Sequence, residues 1–197
     1  MSGQPLNLEG DIVELTRAIC DIESVSGNEK ERADAIESAL AKYSHLEVIR
    51  DGDAIVARTN FGHATRVVIA GHIDTVPLAN NLPCQLHHFE REQVIVGRGT
   101  VDTKAGVAVM LKLAVELVDP KVDITWVFYD NEEVASDLNG LGRLVRNRPE
   151  LIQGDFAVLC EPTSALIEGG CNGTIRVEVS ASGVKAHSAR PWMGENA

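Results

Sequence analysis

The sequence is poor in aromatic residues, long apolar runs and paired cysteines. Aromatic side chains make up 4% of its 197 residues. No apolar run approaches the roughly 20 residues that a membrane-spanning helix needs. The N-terminus has neither a basic start nor an apolar core, so no secretory signal is predicted. The cysteines show no C-x-x-C spacing, and we expect reduced thiols in a cytoplasmic protein: Cys20, Cys84, Cys160 and Cys171.

Positive charge is also scarce. Lys and Arg number 18 against 29 Asp and Glu, which gives a formal net charge of −11. Nucleic-acid backbones are bound by basic faces, so this balance argues against nucleic acid as a partner. A hydrophobic content of 44% with 24% charged residues is typical of a globular protein.

Apolar periodicity predicts alternating helices and strands. We expect helices at four places: about Leu8–Ile22, from the capping-box pattern Ser26-Gly-Asn-Glu29 to about Tyr43, Lys104–Val118 and Leu141–Arg148. We expect strands at 46–50, 54–59, 66–71, 93–97, 123–130 and 155–161, the last two buried on both faces.

This order of elements predicts an α/β domain with a mostly parallel central sheet and flanking helices. After Gly169-Gly170 the pattern changes, because residues 174–182 alternate apolar and polar side chains. Such alternation is typical of a sheet with one solvent-exposed face. We therefore place a domain boundary near Gly170–Gly173, between a first domain at 1–172 and the beginning of a smaller α+β domain at 173–197.

Histidine and acidic residues collect where predicted strands end. Three strands run directly into them, and the glycine-rich segment GRGTVDTKAG places another just before a helix: His72 and Asp74, the Asp130-Asn-Glu132-Glu133 segment, Glu161, and Asp102. Ligand sites in open α/β sheets lie outside the carboxyl ends of the strands. We therefore expect these side chains to meet at one edge of the sheet.

Each of these residues alone has an ordinary explanation. A histidine after a strand is more often structural than a ligand, adjacent glutamates are more often solvated, and Asp102 alone favours a helix N-cap. Together they favour a metal site, because imidazole with several carboxylates suits zinc or a similar divalent ion. The alternation in His72-x-Asp74 places both side chains on one side, where Asp74 can orient the imidazole.

The segment GRGTVDTKAG has neither the G-x-G-x-x-G nor the P-loop spacing, which argues against a nucleotide-binding loop. We expect instead that Gly97 and Gly99 allow a tight turn that directs Asp102 toward the site.

Five motifs in order resemble the M20 family of di-zinc amidohydrolases: GHIDTVP (71–77), GRGTVDTKAG (97–106), DNEE (130–133), CEPT (160–163) and GVKAHSARPWMGENA (183–197). The resemblance covers essentially the whole chain. It implies a catalytic domain of the zinc aminopeptidase type and the start of a lid or dimerisation domain. HSARPWMGENA and GGCNGT are most similar to members that hydrolyse N-succinyl-LL-2,6-diaminopimelate to succinate and LL-2,6-diaminopimelate, in lysine and cell-wall precursor synthesis. The alternatives are a sister deacylase, acting on acetylornithine or another N-acyl amino acid, and a non-catalytic protein built on the same half-fold.

The resemblance implies two zinc ions per complete chain, for which Co²⁺ can substitute. His72 and Glu161 would bind one ion, and Asp102 would bridge both. Glu133 would bind the second ion together with a histidine from a later segment.

The resemblance also implies catalytic roles. Glu132 would be the general base, Asp74 would orient His72, and His187 would reach the partner's active site in a homodimer and stabilise the tetrahedral intermediate. Thr103 stands where a methionine is expected. Family members continue well past residue 197, so we expect this chain alone to lack a ligand of the second zinc and to have little or no activity.

Overall fold

The computed structural model of the chain describes residues 5–89, 92–170, 173 and 175–197. These residues divide into two compact units, one up to Ala165 and the other from Leu166 to Ala197. No helix within the described ranges has the length and apolar character needed to cross a membrane.

The first unit alternates helices and strands, as predicted. Its helices are α1 (Ile12–Asp21), α2 (Lys30–Leu40), α3 (Ala105–Glu116) and α4 (Gly140–Asn147). Its strands are β1 (Glu47–Asp51), β2 (Ala54–Arg58), β3 (Arg66–His72), β4 (Gln85–Phe89), β5 (Glu92–Val96), β6 (Asp123–Tyr129) and β7 (Phe156–Leu159). Short helical turns cover Thr100–Lys104 and Pro149–Leu151.

Five strands form one mixed sheet in the order β1-β2-β6-β3-β7. β6, β3 and β7 are parallel, and β2 and β1 extend the sheet antiparallel at one edge. β4 and β5 form a separate antiparallel hairpin. The predicted α/β fold is confirmed. Since β3, β6 and β7 run in one direction, their carboxyl ends lie at the same edge of the sheet.

The core lies on both faces of β6, all of whose residues are buried. Trp126 and Phe128 pack with apolar residues of α1, α2 and α3 on one face, whereas Val127 and Tyr129 pack with Leu144 of α4 on the other. Burying a large apolar side chain contributes about 1.5–3 kcal/mol. The predicted burial of β6 on both faces is confirmed. This packing stabilises the strand whose carboxyl end leads into the acidic residues.

Two local predictions for the first unit are wrong. Ser26-x-x-Glu29 forms no capping box, because Glu29, directly before α2, makes no side-chain cap. The predicted burial of 155–161 on both faces also fails: β7 is the outer strand of the sheet, and Phe156 is 64% exposed.

The second unit has little regular structure among its described residues. Val184 and Glu195 pair as an antiparallel bridge, and Pro191–Met193 form a short helical turn. Residues 175–182, predicted as a strand, do not form one. A strand needs a pairing partner, and no described segment pairs with this one. Residues 171, 172 and 174 lie outside the described residues, and the predicted domain boundary at 172/173 stays a prediction.

Candidate metal centre

The carboxyl ends of β3, β6 and β7 bring the predicted residues together. His72 is the last residue of β3 and lies beside Tyr129, the last residue of β6. Glu161 follows β7 by two residues. The imidazole of His72 is at the centre of the cluster and is 1% exposed.

Both ring nitrogens of His72 face carboxylates. Nδ1 lies 3.4 Å from Asp74 Oδ1 and 3.2 Å from the Asp74 backbone oxygen. Nε2 lies 2.9 Å from Asp102 Oδ1 and 4.0 Å from Glu161 Oε2. Burial alone would lower the pKa of His72, but hydrogen bonds to Asp74 and Asp102 outweigh it and raise this pKa to about 9. Asp74 thus orients the imidazole through Nδ1, and Nε2 faces the carboxylates of Asp102 and Glu161.

Two groups of side chains can each gather around a cation. His72, Asp102 and Glu161 form one group, and His72, Glu132 and Glu133 form the other, with the ligand atoms in each group within 4.8 Å of one another. The first group matches the set implied for one zinc. In the second, Glu132 and His72 accompany Glu133.

The carboxylates of this edge crowd one another. Burial raises the pKa of Glu133, and the charge of Asp102 raises it further. Burial likewise raises the pKa of Glu161; the charge of His72 opposes this rise, and the charges of Asp102, Glu132 and Glu133 add to it. Like charges in a partly desolvated site repel unless a cation lies among them. The donor set, one imidazole nitrogen with several carboxylate oxygens, therefore fits a divalent metal ion.

The turn Thr100–Lys104 directs Asp102 toward His72. It follows Gly99, whose φ of 75° lies in the left-handed region that glycine adopts without penalty. A Cβ at Gly99 would also lie 2.7 Å from Thr75 Cγ2. Thr103 is buried and its hydroxyl donates to the backbone oxygen of Cys160. The threonine thus ties this turn to the end of β7, next to Glu161.

Besides its contact with His72, Asp74 accepts hydrogen bonds from the loop that follows β6 and from Ser26. Its Oδ1 accepts the backbone N–H of Glu132 at 2.9 Å, and its Oδ2 accepts that of Glu133 at 3.1 Å and the hydroxyl of Ser26 at 2.7 Å. Burial would raise the pKa of Asp74, but its hydrogen bonds with His72 and Ser26 and with the backbone lower it to about 2. Asp74 therefore stays ionised and holds both His72 and the loop that carries the two glutamates.

Asp130 begins the DNEE motif but points away from this edge. Its carboxylate takes a two-point contact from Arg143 of α4, with Nη1 to Oδ2 at 3.0 Å and Nη2 to Oδ1 at 2.7 Å. The approach of α4 is close, since a Cβ at Gly140 would lie 2.3 Å from Asp130 Oδ1. Of the three acids in the motif, only Glu132 and Glu133 join the cluster.

Two basic side chains next to the site are fully buried and were not predicted. Arg32 donates to the backbone oxygens of Ile73, Ile19 and Ile22. Lys104 Nζ donates to the backbone oxygen of Cys20 at 3.0 Å. These oxygens, apart from that of Ile73, belong to the carboxyl end of α1, where the helix dipole favours positive charge. Burial and then the charge of Arg32 lower the pKa of Lys104 to about 7.

Sequence reasoning also missed Ser26 and Glu29 as neighbours of the site. The signal was present, since Ser-x-x-Glu is a hydrogen-bonding pattern, but it was assigned to the start of a helix. Glu29 is 1% exposed and accepts the backbone N–H of Asn131 at 3.2 Å.

His187 belongs to the second unit and is exposed. Its Nδ1 accepts the backbone N–H of Ala189 at 3.1 Å. Its predicted role in a partner's active site stays a prediction.

The chain belongs to peptidase family M20/M25/M40, whose profile matches residues 68–193. The match contains His72, Asp102, Glu132, Glu133 and Glu161, so the residues that meet at the sheet edge lie within the family's region.

Relatives cover nearly all of the chain. It is 50% identical over 193 residues to a Mycobacterium tuberculosis protein provisionally named succinyl-diaminopimelate desuccinylase, covering 98% of this chain and 53% of that protein. It is 47% identical over 197 residues to the succinyl-diaminopimelate desuccinylase of Corynebacterium glutamicum, covering 98% of this chain and 52% of that protein. The chain thus spans about half the length of these relatives.

A solved structure agrees on the fold. The crystal structure of a tripeptidase from Staphylococcus aureus matches with a TM-score of 0.64 and 17% identity, over 96% of this chain and 53% of that chain.

Proposed function

We propose that this chain carries the metal site of a hydrolase that cleaves the amide bond of N-succinyl-LL-2,6-diaminopimelate, releasing succinate and LL-2,6-diaminopimelate. The meeting of His72, Asp102, Glu132, Glu133 and Glu161 at one sheet edge carries the proposal. The choice of acyl group is supported by the names of the two bacterial relatives. The proposed setting is lysine and cell-wall precursor synthesis in the cytoplasm.

Zinc is the proposed metal, with two ions per complete protein. His72, Asp102 and Glu161 would hold one ion, and Asp102 and Glu133 would contribute to the second. Bound divalent ions polarise an amide carbonyl and acidify water. The buried imidazole, already held through Nδ1 by Asp74, supports a ligand role for Nε2.

Glu132 is the proposed general base, which takes a proton from water and returns it to the leaving amine. The support is its place: its backbone is tied to Asp74, and its side chain lies in a group with His72 and Glu133. We also propose a catalytic domain at 1–172, a lid domain starting at 173, and a homodimer in which His187 stabilises the tetrahedral intermediate in the partner's site.

The first test is elemental analysis of the untagged, dialysed complete gene product. About two zinc ions per chain are expected, as a two-metal site requires. Turnover of succinylated and acetylated substrates is then compared, and faster succinyl cleavage is expected. Faster cleavage of the acetylated substrate would contradict the proposed succinyl specificity. Absence of any bound divalent metal after incubation with zinc would overturn the mechanism.

A further inference from the structure

Ser26 and Glu29 point away from the helix that they were predicted to cap. The Ser26 hydroxyl donates to Asp74 Oδ2 at 2.7 Å. Glu29 Oε1 accepts the backbone N–H of Gly27 at 2.9 Å and that of Asn131 at 3.2 Å. The contacts with Asp74 and Asn131 are directed at segments that carry the candidate metal centre.

Three successive backbone N–H groups in the loop Asn131–Glu133 donate to buried carboxylates. Asn131 donates to Glu29, and Glu132 and Glu133 donate to Asp74. The two carboxylates are 1% and 0% exposed. Burying a carboxylate is unfavourable unless donors surround it, so each needs these N–H groups as much as the loop needs the carboxylates.

This arrangement fixes the direction of two functional side chains. The backbone turns through Asn131, whose φ is 57°, and then presents Glu132 and Glu133 to His72. A positive φ at a residue other than glycine costs energy and persists when surrounding contacts hold it. The contact from Glu29 acts on the residue where the turn is made.

Asp74 alone does not account for this loop. It is shared among His72, Ser26 and the backbone of residues 132 and 133. The Asn131 N–H is outside its set of donors and is taken by Glu29. The segment Ser26–Glu29 therefore supports the site from two directions, through Asp74 and through Asn131.

We propose that Glu29, assisted by Ser26, is a positioning residue that holds the Asn131–Glu133 loop so that Glu132 and Glu133 face His72. This inference rests on the proposed function for the catalytic role of Glu132. The juxtaposition of Glu29 with the loop stands independently of that role.

The test replaces the acceptor while keeping the volume. Glu29→Met fills the same space without an oxygen, Glu29→Gln keeps one carbonyl oxygen, and Glu31→Gln removes an exposed charge on the same helix as a control. Amide hydrogen exchange of residues 131–133 is followed by NMR in the folded chain. The values of kcat and KM for N-succinyl-LL-2,6-diaminopimelate are measured with the complete gene product.

In Glu29→Met we expect the Asn131 amide to exchange at least about 10-fold faster, because its hydrogen bond is lost. We expect kcat to fall about 10–100-fold, as it does when outer partners of a metal site are removed, with KM changed less than about 2-fold. Glu29→Gln restores kcat to within about 3-fold, and Glu31→Gln behaves as the wild type. Wild-type exchange and kcat in Glu29→Met would overturn the proposal.

Ser26→Ala repeats the test if Glu29→Met does not fold. Loss of the hydroxyl that donates to Asp74 is expected to speed exchange at Glu133 and to lower kcat about 3–10-fold. Unchanged exchange and kcat would overturn the proposal from this side. A wild type that holds no metal and cleaves no acyl substrate instead contradicts the proposed function, and the exchange data still decide the role of Glu29.

Discussion

Acidic residues lie at both ends of β6, but the surroundings of these residues differ between the two ends. At the amino end, Asp123 is 2% exposed and accepts backbone N–H groups of Phe61, Gly62 and His63 at 2.8–3.0 Å and the hydroxyl of Thr59 at 2.8 Å. Burial would raise its pKa, but these hydrogen bonds lower it to about 2. Beyond the carboxyl end, burial and neighbouring carboxylates raise the pKa of Glu133, and they also raise that of Glu161, which follows β7 at the same sheet edge.

This difference in pKa distinguishes a carboxylate that stabilises the fold from carboxylates suited to bind a cation. Asp123 is surrounded by donors, so its charge is compensated by the protein itself. The acids near His72 face other acids, and the charge of His72 lowers the pKa of Glu133 and Glu161 too little to offset burial and this repulsion, which a metal cation would compensate. Asp74 resembles Asp123 in its low pKa, which agrees with a positioning role rather than a direct one.

The largest expected effect is on turnover. Glu132→Gln removes the proposed base and should lower kcat by about 10²–10⁴-fold, or about 3–5 kcal/mol, because general acid–base catalysis contributes this much. The zinc content should stay at the wild-type value, since the proposed ligands remain. Steady-state kinetics and elemental analysis of the same preparations measure both.

Glu92→Gln, at an exposed position of β5, is the control and should change neither quantity. Loss of zinc in Glu132→Gln would mean that Glu132 acts as a ligand, as its grouping with His72 and Glu133 allows. Wild-type turnover would remove it as the base.

The next effect is on stability, at the amino end of β6. Asp123→Asn should lower the free energy of unfolding by about 2–4 kcal/mol at pH 7, because four hydrogen bonds to a buried charge are weakened. The folded-state pKa of about 2 lies below the ordinary pKa of an aspartate, 3.8. The contribution is therefore complete above pH 3.8 and is lost as the pH falls toward 2, so the difference between variant and wild type should shrink in that range.

Urea unfolding between pH 7 and the lowest pH at which both proteins fold measures this difference. Asp119→Asn, in the exposed loop before β6, is the matched control and should stay within about 0.5 kcal/mol of the wild type. A difference that grows on acidification would contradict the assignment of Asp123 as an ionised structural carboxylate.

Asp130 tests whether every acid after β6 belongs to the site. Asp130→Asn should destabilise the fold by about 1–3 kcal/mol, because the negative charge and one of the two oxygens that accept from Arg143 are lost. Zinc content should not change. Arg143→Gln also removes the contacts of Arg143 with Asp51, but in a double-mutant cycle with Asp130→Asn the two effects should add less than fully, since both weaken the same ion pair. Additive effects, or a loss of zinc in Asp130→Asn, would return Asp130 to the metal centre.

Much of this site could be predicted from sequence because apolar strands are easy to recognise. The run before Gly71-His72 and the run ITWVFY both form buried or half-buried parallel strands. The residues after them must then share one edge. His72, Asp74, Glu132, Glu133 and Glu161 follow predicted strands, whereas the glycine-rich segment GRGTVDTKAG before a helix indicates the place of Asp102.

Other features depend on partners distant in sequence. Asp130 could not be distinguished from Glu132 by its neighbours, because its direction is set by Arg143 and by the close approach of Gly140. Glu29 was assigned to a helix cap because the pattern is local, whereas its actual partner, Asn131, is 102 residues away. The exposure of β7 depends on its place at the outside of the sheet, which strand composition does not specify.

The smallest expected effect has the most informative sign. Glu161→Gln removes one like charge from the crowded edge and should raise the stability of the metal-free chain by about 0.5 kcal/mol. The gain is small because the Glu161 side chain is 35% exposed and solvent screens the repulsion. Zinc at 100 times its dissociation constant should stabilise the wild type by about 2.7 kcal/mol. Since the variant lacks a ligand, it should gain less from the same zinc.

The substitution thus stabilises the protein without metal and weakens its response to metal, which thermal unfolding with and without zinc measures. Asp123→Asn cannot show this pair of signs, because its carboxylate is compensated by donors in either state. If Glu161→Gln destabilised the metal-free chain, Glu161 would be a structural carboxylate like Asp123. The contrast between the two ends of β6 would then not extend to β7.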